Sequence, residues 1–231
     1  MKDRNLKYFC FTGGCFSGKT TTMNLIKDRF ENIHGIKTMI LGEPIREYKG
    51  TVDISEYRKD QEKYLQLQIE TTGIRKDREL STVDKYKDEK VVVLQDRGIA
   101  DCIFYTRHYI DKEKLSEESQ DIYEDLLFEL DCFGSDHSYN DIYDYVLEFK
   151  PLKIKAESQE QKDFRPDDID EVKYLEYNEI HEWNKWFCEY NDNVSYRIID
   201  LNMMNQNELN NYIDNLAKEI KESWNNSCLN K

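Results

Sequence analysis

Gly13-Gly14-Cys15-Phe16-Ser17-Gly18-Lys19-Thr20 fits the spacing G-x-x-x-x-G-K-[ST] in full. Its reading decides the fold, because this loop does its work only between a buried strand and a helix start. The apolar run Tyr8-Phe9-Cys10-Phe11 stands before it. A helical pattern follows, with Met23, Leu25, Ile26 and Phe30 apolar and Gly35 at the closing C′ position. The glycines let the backbone wrap so that successive N–H groups point inward, and those donors with the positive helix end hold polyphosphate. ATP contacts are therefore expected along residues 13–21, from Gly13 and Gly14 through Cys15, Phe16, Ser17 and Gly18 to Lys19, Thr20 and Thr21. Lys19 is expected at the β- and γ-phosphates, and the Thr20 hydroxyl on Mg²⁺. The plainer alternative is a glycine turn that matches by chance, and the flanking strand and helix argue against it.

Working outward, residues 36–41 read as a second strand ending in Gly42-Glu43-Pro44. A long connection over about 46–89 exceeds what a crossover needs and is expected to carry extra helices, with residues 55–80 built of helix formers. Gln68, Thr72 and Arg75 share one face there. Lys90-Val91-Val92-Val93-Leu94-Gln95 reads as a strand buried on both faces and runs into Asp96-Arg97-Gly98. Helices are expected over 99–110 and 116–130, a polar loop over 134–140, a strand over 143–149, and a charged loop over 151–168 that contains Arg165. A long helix over 170–190 carries Tyr and Trp at helical spacing, which reads as core packing. A fifth strand over 196–201 and an amphipathic helix over 206–224 complete the chain. Strands alternating with helices give a parallel sheet with right-handed crossovers in a single domain spanning 1–231. Ligands in such sheets sit at the carboxyl ends of the strands, so the glycine loop, Glu43, Asp96-Arg97 and the 151–168 loop are expected on one edge.

The 231 residues carry a net charge of −14, so the chain should repel DNA and anionic membranes. Nucleic acid and membrane partners are not expected; a nucleoside triphosphate and a small-molecule acceptor are, with a homodimer left open. None of the 6 cysteines forms C-x-x-C, which points to reduced thiols and a cytoplasmic setting, and the N-terminus shows no apolar signal segment. His181-Glu182 lacks the second histidine of a metalloprotease motif.

Asp96, after four apolar strand residues, stands where a Mg²⁺-holding carboxylate is found, and a helix N-cap is its plainer alternative. Arg97 is a candidate for the acceptor or the transferring phosphoryl, against a surface ion pair. Glu43 faces an acceptor pocket, where a positioned base helps a hydroxyl acceptor, and Arg46 is close enough to bind an acceptor anion. Gln68 and Arg75 are candidates for holding the acceptor, against a merely solvated helix face for Gln68. Arg165, with Lys153 and Lys155, is a candidate for closing over the phosphates.

The order of the glycine loop, Glu43-Pro44, Gln68 and Arg75, Asp96-Arg97 and Arg165 resembles the P-loop nucleoside and nucleotide kinases over about residues 7–220. Deoxynucleoside and thymidylate kinases carry Glu-Pro after strand two, an acid–arginine pair after strand three and a basic lid before the penultimate helix. The C-terminal half is also similar to AAA-type ATPase/kinase domains related to nicotinamide riboside kinases. The resemblance implies a three-layer α/β fold with a five-stranded parallel sheet in the order 2-3-1-4-5. It also implies ATP with Mg²⁺, and Lys19, Glu43, Asp96, Arg97 and Arg165 as the catalytic set. Deoxynucleoside kinases have Glu-Arg-Ser where this chain has Asp96-Arg97-Gly98, and thymidylate kinases continue Glu-Pro with a glycine-rich stretch that is absent here. The expected reaction is phosphoryl transfer to a nucleoside-like acceptor. The alternatives are a nucleoside monophosphate kinase, a P-loop ATPase or GTPase switch working with a protein partner, and a DNA-end or base-modification kinase. No guanine-reading N-K-x-D run occurs, since Asn184-Lys185 continues into Trp186-Phe187.

Overall fold

β-branched and aromatic runs become five strands in the computed structural model, which describes residues 4–15, 17–46, 54–153 and 169–229. The strands are β1 (Lys7–Thr12), β2 (Lys37–Leu41), β3 (Val91–Asp96), β4 (Tyr145–Phe149) and β5 (Ser195–Ile199). All pair in parallel in the order β2-β3-β1-β4-β5. β1 sits at the centre, with Phe9 level with Leu94 of β3 and Tyr145 of β4. Every residue of β1 and β3 is buried, as their unbroken apolar runs require.

Alternation splits these strands between two helical layers. Phe9 and Phe11 of β1 and Val92 and Leu94 of β3 pack on one side, with α1 (Lys19–Asn32) through Met23, Ile26 and Phe30. The last helix, α7 (Gln206–Leu229), joins them through Ile213, Leu216 and Ile220. Tyr8, Cys10, Val91 and Val93 face the other way, towards α3 (Gln61–Tyr86), α4 (Ile99–Tyr109) and α5 (Glu117–Phe133). α2 (Ile54–Lys59) and α3 split the run expected over 55–80: the Asp60 side chain accepts from the Lys63 amide and caps the second helix. Between β4 and β5 lies α6 (Ile169–Glu189), which packs Ile180 against Ala100 and Phe104 of α4.

Two expectations are corrected. Residues 134–140 are not a polar loop: Gly134–Ile142 continues α5 as a π-helix with Ser138, Tyr139 and Ile142 buried. Tyr139 drives this, since its ring stacks on Phe187 at 4.6 Å and its hydroxyl donates to Asn184, so winding the segment inward satisfies both ends of the side chain. The aromatic spacing of α6 is only partly core. Phe187 is buried, whereas Tyr174 and Trp186 are exposed, because α6 covers one flank of α4 and leaves its other face to solvent, and Tyr190, exposed too, lies just past the helix end.

A buried polar knot ties α3 to the sheet. Glu79 of α3 accepts from Ser138 Oγ at 2.8 Å, from the Tyr143 hydroxyl at 2.7 Å and from Gln95 Nε2. Burial pushes its carboxyl above the ordinary value near 4.5, against Arg75 and these donors. The folded chain thus binds this proton more tightly than the unfolded chain. The Glu79 contribution to stability is therefore expected to fall as pH rises from about 4.5 towards the raised value. Glu79→Gln removes that dependence. Urea unfolding of both chains at about pH 5 and about pH 8 checks it, and an equal change in unfolding free energy between the two pH values for both chains contradicts it.

Among the described residues no helix is long and apolar enough to cross a membrane. Cys10, Cys102, Cys132 and Cys188 are free thiols.

Candidate active site

The loop begins where β1 ends. Gly13 has φ +116° and Gly18, the N-cap of α1, has φ +84°, backbone values that favour glycine. A side chain at Gly13 would also lie 2.5 Å from the Phe149 carbonyl oxygen. These two glycines turn the chain out of the strand and into the helix. Lys19 is buried and folds over the loop: Nζ donates to the Gly13 and Gly14 carbonyls, both at 2.7 Å, and to Ser17 Oγ at 3.1 Å. Burial, with Arg97 nearby, lowers the Lys19 pKa from its ordinary value, against the carboxylates of Asp96 and Asp101. Thr20 and Thr21 are exposed on the first turn of α1.

Glu43, Arg46, Asp96 and Arg97 lie at the carboxyl ends of β2 and β3 and meet the loop there. Arg97 Nε is 2.6 Å from Glu43 Oε1. Arg46 Nε is 3.3 Å from Glu43 Oε2, and its Nη2 is 3.3 Å from Asp96 Oδ2. Asp96 Oδ2 in turn lies 3.4 Å from the Thr20 hydroxyl. One chain of charged contacts thus runs from the helix start to Arg97. Burial pushes the Glu43 carboxyl up, but Arg97, then Arg46, Arg75 and Lys19, outweigh it and hold the group below the ordinary carboxylate range. Arg97 is buried rather than engaged in a surface ion pair. It takes φ +71°, and its guanidinium lies 4.8 Å over the Tyr105 ring. Asp96 does not cap α4; Gly98 does.

Asp96 Oδ1 is buried without a hydrogen-bond partner, while Oδ2 faces the Thr20 hydroxyl. A spare carboxylate oxygen beside a threonine hydroxyl is a donor set that fits Mg²⁺, an ion held by one or two protein oxygens together with phosphate.

Gln68, Thr72 and Arg75 are all buried on one face of α3, which excludes a merely solvated face for Gln68. Arg75 Nη1 donates to the Arg97 carbonyl, so it holds the backbone of the Asp96-Arg97 turn. Arg165 and Phe16 lie outside the described residues, as does Lys155; Lys153 is exposed at the end of the segment after β4.

Sequence reasoning missed three groups. Asp101, fully buried, accepts from Arg97 Nη1 at 3.2 Å, from the Gly98 amide at 2.9 Å and from Thr12 Oγ1 at 2.6 Å. Its signal was present as a carboxylate four residues after Arg97 at the start of a helix. Asn184 of α6 donates to Thr12 Oγ1 at 3.2 Å and to Glu148 Oε2 at 2.9 Å, linking α6 to the strand that carries the loop. Glu176, also on α6, accepts from the Cys15 amide at 2.8 Å. Neither α6 residue sits in a recognisable motif, because both contacts span more than 150 residues of chain, Cys15 to Glu176 and Thr12 to Asn184.

A parallel sheet in this order, with a left-handed glycine at the N-cap of the helix after its central strand, defines a P-loop nucleotide-binding fold of the kinase type. A family model described as "AAA domain" matches residues 8–196, and the chain belongs to that family. Two solved structures share the fold. Deoxyadenosine kinase from M. mycoides, with bound dATP, has a TM-score of 0.56 at 16% identity, over 91% of this chain and 98% of that one. Thymidylate kinase from Ehrlichia chaffeensis has a TM-score of 0.50 at 15% identity, over 93% and 98% respectively. No curated protein matches by sequence.

Proposed function

We propose that this chain is a P-loop kinase, a single catalytic domain that passes the γ-phosphoryl of ATP, with Mg²⁺, to a hydroxyl of a small nucleoside-like acceptor. The observation that carries the reading is the unbroken line Thr20–Asp96–Arg46–Glu43–Arg97 beside the phosphate loop. A switch that only hydrolyses nucleotide has no need of an acid–arginine cluster extending from the phosphate loop to the end of β2. The two structural neighbours, a deoxyadenosine kinase and a thymidylate kinase by name, agree with this choice.

In the proposed mechanism Lys19 exchanges its loop carbonyls for β- and γ-phosphate oxygens, while backbone amides of the loop hold the rest of the polyphosphate. Thr20 and Asp96 would hold Mg²⁺, which when bound would supply neutralisation of the phosphate charge. Glu43, kept ionised by Arg97 and Arg46, accepts a hydrogen bond from the acceptor hydroxyl and takes its proton as the phosphoryl arrives. Its low basicity suits a loose transition state, in which the hydroxyl proton leaves late and orientation matters more than proton abstraction. Gln68 and the orphaned Thr72 hydroxyl supply polar groups for the acceptor's base or sugar, and Arg75 sets the turn that aims Arg97. Arg165 is proposed to close over the phosphates from the segment between β4 and α6. Free thiols support a cytoplasmic setting as part of the same reading.

A second reading, transfer to a nucleoside monophosphate, is favoured by Arg46, which is 44% exposed between Glu43 and Asp96 and is placed to meet an acceptor phosphate. Incubation with ATP, Mg²⁺ and a panel of nucleosides and their monophosphates separates the two. Phosphorylated nucleosides are the expected product, and diphosphates alone would shift the assignment to the second reading. Hydrolysis indifferent to every acceptor would remove both.

A further inference from the structure

The third residue of the phosphate loop already has an anion on it. Glu176, fully buried on α6, holds Oε2 2.8 Å from the Cys15 nitrogen, whose N–H donates to it. The same turn of α6 crosses the loop at close range. A side chain at Gly14 would lie 2.8 Å from the Lys173 carbonyl oxygen and 3.5 Å from Glu176 Oε2, so glycine there is what lets the helix reach the loop. The Cys15 amide belongs to the set that such a loop turns towards polyphosphate. A carboxylate and a phosphate oxygen cannot both take one N–H, and two anions within about 4 Å repel each other strongly where water is excluded.

We infer that Glu176 is an internal ligand of the phosphate loop that sets which external anions enter: a nucleoside triphosphate displaces it, and a single phosphate does not. The inference rests on the reading of residues 13–20 as the triphosphate site. Selectivity follows from the exchange itself. Leaving the loop strips Glu176 of a charged hydrogen bond inside the protein, and only a ligand that gains several such bonds at once, with Lys19 and a metal ion, offsets that loss. Arg97 feels the same carboxylate, so its departure also frees a cationic field for the incoming phosphates. α6 carries the signal outward. Lys173, one turn before Glu176, donates to the Leu152 carbonyl just past β4, so displacement strains the contact between α6 and the end of the sheet.

Calorimetry with ATP and with inorganic phosphate on the wild-type chain, Glu176→Gln, Glu176→Asp and Lys19→Ala tests this. Glu176→Gln removes the competing charge; Glu176→Asp keeps the charge but falls one methylene short of Cys15. Glu176→Gln is expected to bind ATP about tenfold more tightly, the fold-change matching a charged hydrogen bond, and to gain measurable affinity for inorganic phosphate, and Glu176→Asp, which keeps the charge, to gain less of each. Wild-type affinities in both variants, with Lys19→Ala still weakening ATP, would overturn the inference and leave the loop assignment standing. An unweakened Lys19→Ala removes both. Should neither variant fold, hydrogen exchange on the wild-type chain decides. Saturating ATP must speed exchange in the first turns of α6, and unchanged or slower exchange there overturns the proposal.

Discussion

Replacing Lys19 by alanine is expected to lower ATP affinity and turnover together, by about 10²–10³-fold, the usual consequence of removing one preorganised donor from a developing anion. Lys19 is the only charged group of the motif, and its ammonium already lies within 2.7 Å of the Gly13 and Gly14 carbonyls that line the loop. Small rotations carry it from those oxygens to a phosphate. The fold is expected to survive the change. Burial disfavours the charged form of Lys19, so the folded chain holds its proton less tightly than the unfolded chain, and the charge is a cost to folding below the ordinary pKa of 10.5. A melting temperature equal to or above wild type, with ATP binding lost, separates a functional from a structural role. The same sign gives a pH test: ATP affinity should decline on the alkaline side before pH 10.5, because the lysine loses its proton early. Unchanged ATP binding in Lys19→Ala would remove the nucleotide reading altogether.

The fold was legible wherever burial dictated composition. Val91, Val92, Val93 and Leu94 could be placed because both faces of β3 are covered, and a strand without polar relief has few other places to go. The loop was legible because its chemistry demands glycine at fixed offsets, and Gly13 and Gly18 take the left-handed values which that spacing implies. Glu43 and Asp96 followed from the rule that strand ends gather ligands, and Arg46 bridging their carboxylates puts the two on one rim. What escaped was decided by tertiary partners. Gly134–Ile142 has a loop's composition, yet Tyr139 has a ring to stack on in Phe187 and an amide to bond in Asn184, both supplied by α6, more than 40 residues further along. Asp101 reads as an ordinary first-turn acid with Arg97 four residues before it, and only the fold brings Thr12 to it. Local pattern gives the elements and the motif; the second ring of contacts, which fixes how the site is held, depends on packing that no short window contains.

Glu43→Gln and Asp96→Asn are expected to fail in different ways, and the difference assigns the two carboxylates. Glu43 touches two guanidinium groups and has no contact with the Thr20 hydroxyl like that of Asp96, so its loss should lower kcat by about 10²–10⁴-fold, the range of a positioned base, with the ATP and Mg²⁺ requirements unchanged. Asp96 faces the Thr20 hydroxyl with one oxygen and has a second free of any hydrogen bond, so its loss should raise the Mg²⁺ concentration needed for half-maximal rate. Rates titrated with Mg²⁺ at saturating ATP and acceptor make the comparison. If the Mg²⁺ dependence moves with Glu43 and not with Asp96, the roles are exchanged, and if neither substitution alters the rate, the cluster has no part in the chemistry. Arg97 keeps Asp101 and Tyr105 in the Glu43→Gln chain, so its guanidinium is not stranded and the turn should hold. Acid gives an independent reading. The folded pKa of Glu43 is held below its ordinary 4.5, so the carboxylate contributes stability above that value and loses it as pH falls through the depressed one. Glu43→Gln should therefore flatten the acid limb of the stability curve as well as the rate, whereas a surface glutamate would move neither.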